Sequence, residues 1–319
     1  MTGIYYPTLD LFYYYATSGL GIKTDDTKPI DDYWQAIQQR NNSKENIIKF
    51  HERGHLQGRL LRQNLGDSNC FHFDCSLDEK SIASTLDKIT ELRKKIEPLP
   101  PDNNIYLGRS WMIYGWVDTN QKPSQVAKEL YKNLVSNLVV DDSVHEYRDY
   151  QREGKLLGAT VVEAWRSYQE WDTPEVNSHA LIILYPDRDS YIEASKSISD
   201  IWMRLLLYRH KIWNSYQKSR KNKENISEAF NKVVPVLENH GNYNLTQLGK
   251  SLETIRKTLT TYSTNLHNIS IQQQTLSTNL HNYNLAVKEL TNRADIIYKN
   301  HSNWDNDLKF LENLQRLRV

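Results

Sequence analysis

The stretch LTTYSTNLHNISIQQQTLSTNLHNY, Leu259–Tyr283, writes the hexapeptide STNLHN twice, at Ser263–Asn268 and Ser277–Asn282, with starts 14 residues apart. That spacing is two heptads, the repeat of a helix whose apolar residues must return to one side. Working outward, Leu245, Leu248, Leu252, Ile255, Leu259, Tyr262, Leu266 and Ile269 step by three and four without error. Gln273 is the one polar member, and Leu276, Leu280, Tyr283, Val287, Leu290, Ala294 and Ile297 continue the register. The pattern predicts one long helix, roughly 80 Å at about 1.5 Å per residue. Leu266 and Leu280 are the seam residues of the two copies, and Ser, Thr, Asn and His are expected to face outward.

A second heptad run precedes it. Ile198, Ile201, Leu205, Tyr208 and Ile212 keep the same steps, and Ile226, Ala229, Val233 and Val236 resume after a polar gap at Ser215, Ser219 and Asn222. Between the runs, ENHGNYN offers Gly241 and flanking Asn as a stop and restart near 239–243. The simplest reading is an antiparallel helical hairpin over 187–319, with residues near Leu205 opposite residues near Leu276. The alternative is that each seam awaits another protomer.

Residues 1–186 read as an α+β head domain. DDYWQAIQQR, KSIASTLDKITELRKKI and QVAKELYKNLVSNLV have helical spacing. LQGRLLRQ and CFHFDC flank the turn GDSN, and IYLGRSWMIYGWV, LLGATVVEAW and HALIILYP are rich in β-branched and aromatic residues. Strands and helices alternate irregularly, which favours an α+β layer over a doubly wound sheet. Trp111, Trp116, Trp165 and Trp171 are expected as core or rim aromatics.

Composition narrows the function classes. Lys+Arg 40 against Asp+Glu 39 leaves a net charge of +1 in 319 residues, so no global field draws nucleic acid or anionic lipid. Two cysteines are too few for a disulfide framework and suit a reduced, cytoplasmic chain. No signal-like leader is visible, and ISDIWMRLLLYRHKIW is interrupted by Asp200, Arg204 and Arg209, short of a membrane span. From Thr258 to Val287 there is no Asp, Glu, Lys or Arg. Flanking charges normally select partner and register in a coiled coil. Their absence reads either as compositional drift or as a surface that packs against protein, where buried charge would be costly.

Candidate chemistry is sparse. HERGH at His51–His55 matches H-E-x-x-H, in which a helix sets two imidazoles on one face to hold zinc and the glutamate acts as base on the bound water. On that alternative, His51 and His55 are ligands and Glu52 is catalytic. A third ligand is needed; Leu61 stands where a metzincin has its third His, and Glu79 is a downstream carboxylate. Gly54 and Gly58 weaken the helix this would require. CFHFDC alternates, placing Cys70, His72 and Asp74 on one strand face and Phe71, Phe73 and Cys75 on the other. A zinc site of His51, His55, Cys70 and His72 across a hairpin is conceivable, as is a Cys70 nucleophile beside a His, though nothing in the sequence orients that pair. KSRKNK, with Lys218, Arg220, Lys221 and Lys223, is a basic helical face, either solvated or in contact with anionic lipid or nucleic acid. No phosphate loop, nucleophile elbow or dinucleotide fingerprint is present, and no cofactor is expected.

From LIILYPDRDSYIEASKSISDIWMRLLLYRHKIWNSYQKSR, Leu181–Arg220, onward, and in IYYPTLDLF at the N-terminus, the chain resembles a class of mainly cyanobacterial proteins. In that class an N-terminal α/β domain feeds long coiled-coil helices similar to CorA-type channels. The resemblance implies an effector of antiviral conflict systems, CRISPR- or caspase-associated, with a caspase-like peptidase as partner and a site of action at or beside the inner membrane. Members usually end in one or two membrane spans, whereas this chain ends in LENLQRLRV, which suggests a truncation or a soluble branch. The Gly-Met-Asn filter of CorA channels is missing, so ion conduction is not implied. The expectation is a non-enzymatic interaction protein that binds a partner or itself through Leu259, Tyr262, Leu266, Ile269, Leu276, Leu280 and Tyr283.

Overall fold

The computed structural model describes residues 3–19, 22–52, 56–77, 83–84, 86–96, 105–135, 148–167, 179–238 and 244–300, and positions 310, 311 and 314. The elements run β1 (Ile4–Ala16), α1 (Thr24–Arg40), β2 (Ile47–Glu52), β3 (Leu56–Asn64), β4 (Ser68–Leu77), β5 (Ala83–Ser84), α2 (Leu86–Ile96), β6 (Tyr106–Trp116), α3 (Pro123–Val135), β7 (Arg148–Leu156), β8 (Ala159–Ser167), β9 (His179–Tyr185), α4 (Arg188–Glu238) and α5 (Leu245–Asn300). An α+β domain followed by two long helices is therefore the architecture.

The strands form one mixed sheet in the order β2-β3-β4-β1-β6-β9-β8-β7, with β5 beside the start of β1. Among the described strands, β6 and β9 pair in parallel and the other pairs are antiparallel. The N-terminal strand is thus central. Pro7 cannot donate to a ladder, and it sits where the β1–β6 register shifts between Tyr5 and Thr8, beside Tyr6 at φ 45°.

Alternation divides the sheet into unlike faces. Leu9, Leu11, Tyr13 and Tyr15 of β1, Phe71, Phe73 and Cys75 of β4, Trp111 and Ile113 of β6, and Ile182 and Leu184 of β9 form one. This face buries the apolar stripes of α1 (Ile30, Trp34, Ile37), α2 (Ile89, Leu92, Ile96) and α3 (Val126, Ala127, Leu130), making the main core. The opposite face carries Thr8, Asp10, Phe12 and Tyr14, His72 and Asp74, Ser110 and Tyr114, Glu163 and His179. The first part of α4 covers it: Tyr14 Oη donates to the Met203 carbonyl at 2.9 Å, and Tyr191 packs on Tyr114, Trp116 and Tyr185.

The chain divides into two compact units, residues 1–210 with 285–318, and residues 211–284. Ile198, Ile201, Trp202, Leu205 and Leu206, on the part of α4 in the first unit, are buried. In the first unit, Arg204 meets Glu289 at 2.8 Å and Asp200 meets Arg293 at 3.0 Å. In the second, Asn225 Nδ2 donates to Asn265 Oδ1 at 3.4 Å. Arg204 is thus opposite Glu289 rather than the Leu276 region, since the pairs are not centred on Gly241. The turn expected at 239–243 lies outside the described residues.

The expected orientation of the hexapeptides is reversed. Asn265 and Asn279 are buried, at 7% exposure each, while Leu266 is 51% exposed and Leu280 36%. The inward amides are not orphaned: Asn265 Nδ2 donates to the Thr261 carbonyl at 2.9 Å and Asn279 Nδ2 to that of Thr275 at 2.8 Å. An amide that caps its own helix backbone costs little to bury. That leaves the leucine, one step of about 100° further round, facing out.

Candidate functional site

Two features stand out: the α5 seam in the second unit and the polar face of the sheet in the first. Along α5, Leu245, Leu248, Leu252, Leu259, Tyr262, Leu266 and Leu280 are exposed, Ile255, Ile269 and Leu276 are half-buried, and Tyr283 is buried. Of the expected interaction residues, Leu259, Tyr262, Leu266 and Leu280 therefore share an open face, whereas Tyr283 does not belong to it. The side of α5 turned to α4 is polar. Asn225, Glu228 and Lys232 of α4, with Thr258, Thr261 and Asn265 of α5, line a cleft of about 380 Å³. Exposed Phe230 and Leu237 lie on α4. In the basic run, Arg220 approaches its own helix's Glu224 at 3.9 Å, and Lys218, Lys221 and Lys223 are exposed.

On the sheet, Ser110 Oγ lies 2.9 Å from His179 Nδ1 and 2.7 Å from His210 Nε2, and His179 Nε2 is 3.1 Å from Glu163 Oε1. Arg209 Nε is 3.4 Å from the same carboxylate, and Arg152 approaches its other oxygen at 4.0 Å. Burial raises the Glu163 carboxyl, but the His179 hydrogen bond and the two guanidiniums outweigh it and hold it at about 2. Burial and then Arg209 push His179 down to about 4, against the pull of Glu163. Burial likewise drives His210 well below its ordinary value.

These states fix the hydrogen-bond directions. An ionised Glu163 only accepts, so His179 Nε2–H donates to it. Neutral His179 Nδ1 must then accept from Ser110 Oγ–H, and Ser110 Oγ accepts from His210 Nε2–H. Gly108, at φ +147°, makes room, because a Cβ there would run into the His210 ring. The order serine, imidazole, carboxylate is that of a nucleophile with base and orienter. Yet Ser110, His179 and His210 are all 0% exposed, so no substrate reaches the serine. The chain of bonds joins α4 to β6, β8 and β9. Sequence reasoning missed it; the signals were one Glu inside VVEAW and one His opening HALIILY, polar residues in otherwise apolar strands.

A second polar cluster lies on β1 and β4. Asp10 stands opposite Asp74 in the register, and His72 opposite Phe12, so one ligand atom from each of Asp10, His72 and Asp74 falls within 4.8 Å of the others. His72 Nε2 is 3.5 Å from Asp10 Oδ1, both are buried, and neither makes a hydrogen bond. The His72 ring stacks on Phe12 at 4.5 Å, and Arg59 Nε donates to Asp74 Oδ2 at 2.8 Å. Burial and then Asp10 raise the Asp74 carboxyl, against Arg59 and His72. The expected alternation of CFHFDC is realised, with Cys70 and Cys75 on opposite faces and not joined by a disulfide. Cys70 is fully buried, and burial raises its thiol well above its usual value, which disfavours the thiolate.

The described part of HERGH, His51 and Glu52, is extended rather than helical. His51 and Glu52 end strand β2, and Gly58 lies in β3, where the Phe50 ring occupies the space a Cβ would take. Alternation sends His51 and Glu52 to opposite faces, whereas the motif needs one helical turn between its imidazoles. His51 is exposed; His55 and Glu79 lie outside the described residues.

No family model, curated protein or solved structure matches this chain. Among the described residues, no helix is long and apolar enough to cross a membrane.

Proposed function

We propose that this chain is a non-enzymatic interaction protein whose two long helices form an antiparallel hairpin, and that the open α5 seam is closed by the same seam of a second copy. The observation that carries this reading is the outward row Leu245, Leu248, Leu252, Leu259, Tyr262 and Leu266 on a helix whose opposite side is polar. A helix rich in Asn, Ser and Thr holds poorly by itself and takes its stability from packing. Here the apolar residues that could supply it face solvent. Self-pairing is favoured over a charged partner because Thr258–Val287 carries no Asp, Glu, Lys or Arg. Two copies meet there without like-charge repulsion, and each seam leucine would contribute about 1.5–3 kcal/mol when covered. The contacts Arg204–Glu289 and Asn225–Asn265 support the hairpin, since one partner's number rises as the other's falls.

In the conflict-system setting that the resemblance implies, the assembled helices would be the effector part and the sheet domain the docking face for a caspase-like peptidase. The test is light scattering after size exclusion on the full chain and on Leu259→Glu/Leu266→Glu. The expected result is an oligomer reduced to a monomer in the double variant. A wild-type chain that is monomeric at tens of micromolar and fully helical would overturn the self-association.

A further inference from the structure

We propose that Asp10, His72 and Asp74 bind a divalent transition-metal ion of the zinc class, with the remaining coordination filled by water. Zinc holds nitrogen and oxygen ligands at about 2.1 Å, and a tetrahedral arrangement then separates two ligand atoms by about 3.4 Å. His72 Nε2 and Asp10 Oδ1 stand 3.5 Å apart. That is long for a charge-assisted hydrogen bond and close to a ligand-to-ligand edge. Both residues are at least nine-tenths buried, at 8% and 2% exposure, and these two atoms face each other without a hydrogen-bond partner. Buried polar atoms left so are costly unless a group between them satisfies both.

The surroundings suit a cation. Phe12 stacked on the imidazole fixes its plane, and Arg59 on Asp74 Oδ2 orients that carboxylate while leaving its other oxygen, the arrangement by which outer partners hold first ligands. The Asp74 side chain is 17% exposed, so one of the three ligands borders solvent. One imidazole and two carboxylates is a hard-to-borderline set, suited to Zn²⁺ or Mn²⁺ rather than to soft Cu(I). The ligands sit on adjacent central strands, so the site requires no movement of the backbone.

The experiment uses the full chain stripped with a chelator and titrated with Zn²⁺, read by calorimetry and by thermal midpoint, with Co²⁺ as the spectroscopic probe. The expected result is one Zn²⁺ per chain, a rise in midpoint on addition, and visible Co²⁺ bands of a four- or five-coordinate ion. Asp10→Asn and His72→Gln should each weaken binding at least 100-fold. His51→Ala/His55→Ala should bind as the parent does. Two variants at the site guard against a fold defect, and circular dichroism of the stripped proteins identifies one. No stoichiometric Zn²⁺ binding by the folded parent would overturn the site, leaving only a 3.5 Å contact between His72 and Asp10. Binding lost in the His51/His55 variant but kept in Asp10→Asn would overturn it in favour of the hairpin histidines.

Discussion

One heptad seam runs the length of α5, yet its two parts live in different surroundings. Val287, Leu290 and Ala294 are completely buried in the first unit, while Leu252 and Leu259 in the second are 59% and 62% exposed. The period is the same and the residue types are the same. The first part of α4 explains the contrast. It brings Ile198, Ile201, Trp202, Leu205 and Leu206 into the first unit. The remainder of α4 brings Ser215, Asn222 and Asn225 into the second, with Ile212 and Ala229 as its buried apolar residues. A seam is buried by what faces it, and an apolar stripe opposite polar side chains has turned elsewhere. Periodicity therefore identifies an interface without naming its partner.

The largest effect should come from the covered part. Leu290→Ala empties a fully buried site and should cost about 2–5 kcal/mol in denaturant unfolding. Leu252→Ala, exposed, should change the dilute monomer by less than about 0.5 kcal/mol. Equal losses at the two positions would break the contrast.

Acid should separate the units next. Burial pushes His179 down to about 4 and drives His210 well below its ordinary value, so both are neutral in the fold. The unfolded chain takes up protons between pH 6.5 and 4 that the folded chain refuses, so stability falls as pH falls through that window. His179 alone accounts for about 3 kcal/mol. Glu163, held at about 2 against 4.5, acts in the same sense at lower pH: its contribution is present above about 4.5 and disappears toward 2. The buried polar residues described in the second unit, Ser215, Asn265 and Asn279, do not titrate. Hydrogen exchange at pH 4.5 should show β6, β8 and β9 losing protection relative to pH 7 while the 245–280 segment of α5 changes little. Loss confined to α5 would contradict the assignment.

A smaller effect sharpens the second unit. Asn265→Leu/Asn279→Leu removes two buried amides and adds better helix formers, with a gain of about 1 kcal/mol in thermal stability. The same change should broaden the distribution of masses in light scattering, because inward Asn residues restrict register. A sharply defined single species of lower stability would show that the amides, and not the leucines, hold the helices. Smallest of all is Arg293→Ala. Its partners Asp200 and Glu289 are 54% and 35% exposed, and the loss should stay below about 1 kcal/mol at moderate salt.

Much of this architecture was legible. The three-four stepping located α5, and the alternation of CFHFDC placed His72 and Asp74 together and separated the cysteines. What could not be read is which side of a stripe is covered. Leu266 and Asn265 are one residue apart, and the period is satisfied whichever of them turns inward. Nor could the metal-like cluster be completed. Asp10 reaches His72 only because β1 pairs with β4, and strand order is not written in local pattern. For HERGH the converse holds: a string match carries no backbone, and pairing of Ile47–Glu52 with Leu56–Leu61 put His51 and Glu52 in a strand.

The bond from Tyr14 to Met203 spans 189 residues, and it ties the central strand to the helix that closes its polar face. During synthesis at about 5–20 residues per second, that face waits on the order of 10–40 s after β1 has been made. An apolar sheet face left open so long would invite aggregation. Asp10, His72, Asp74 and Ser110 give that face polar groups to hydrate in the interval, beside Phe12, Met112 and Leu181, which are buried once the fold is complete.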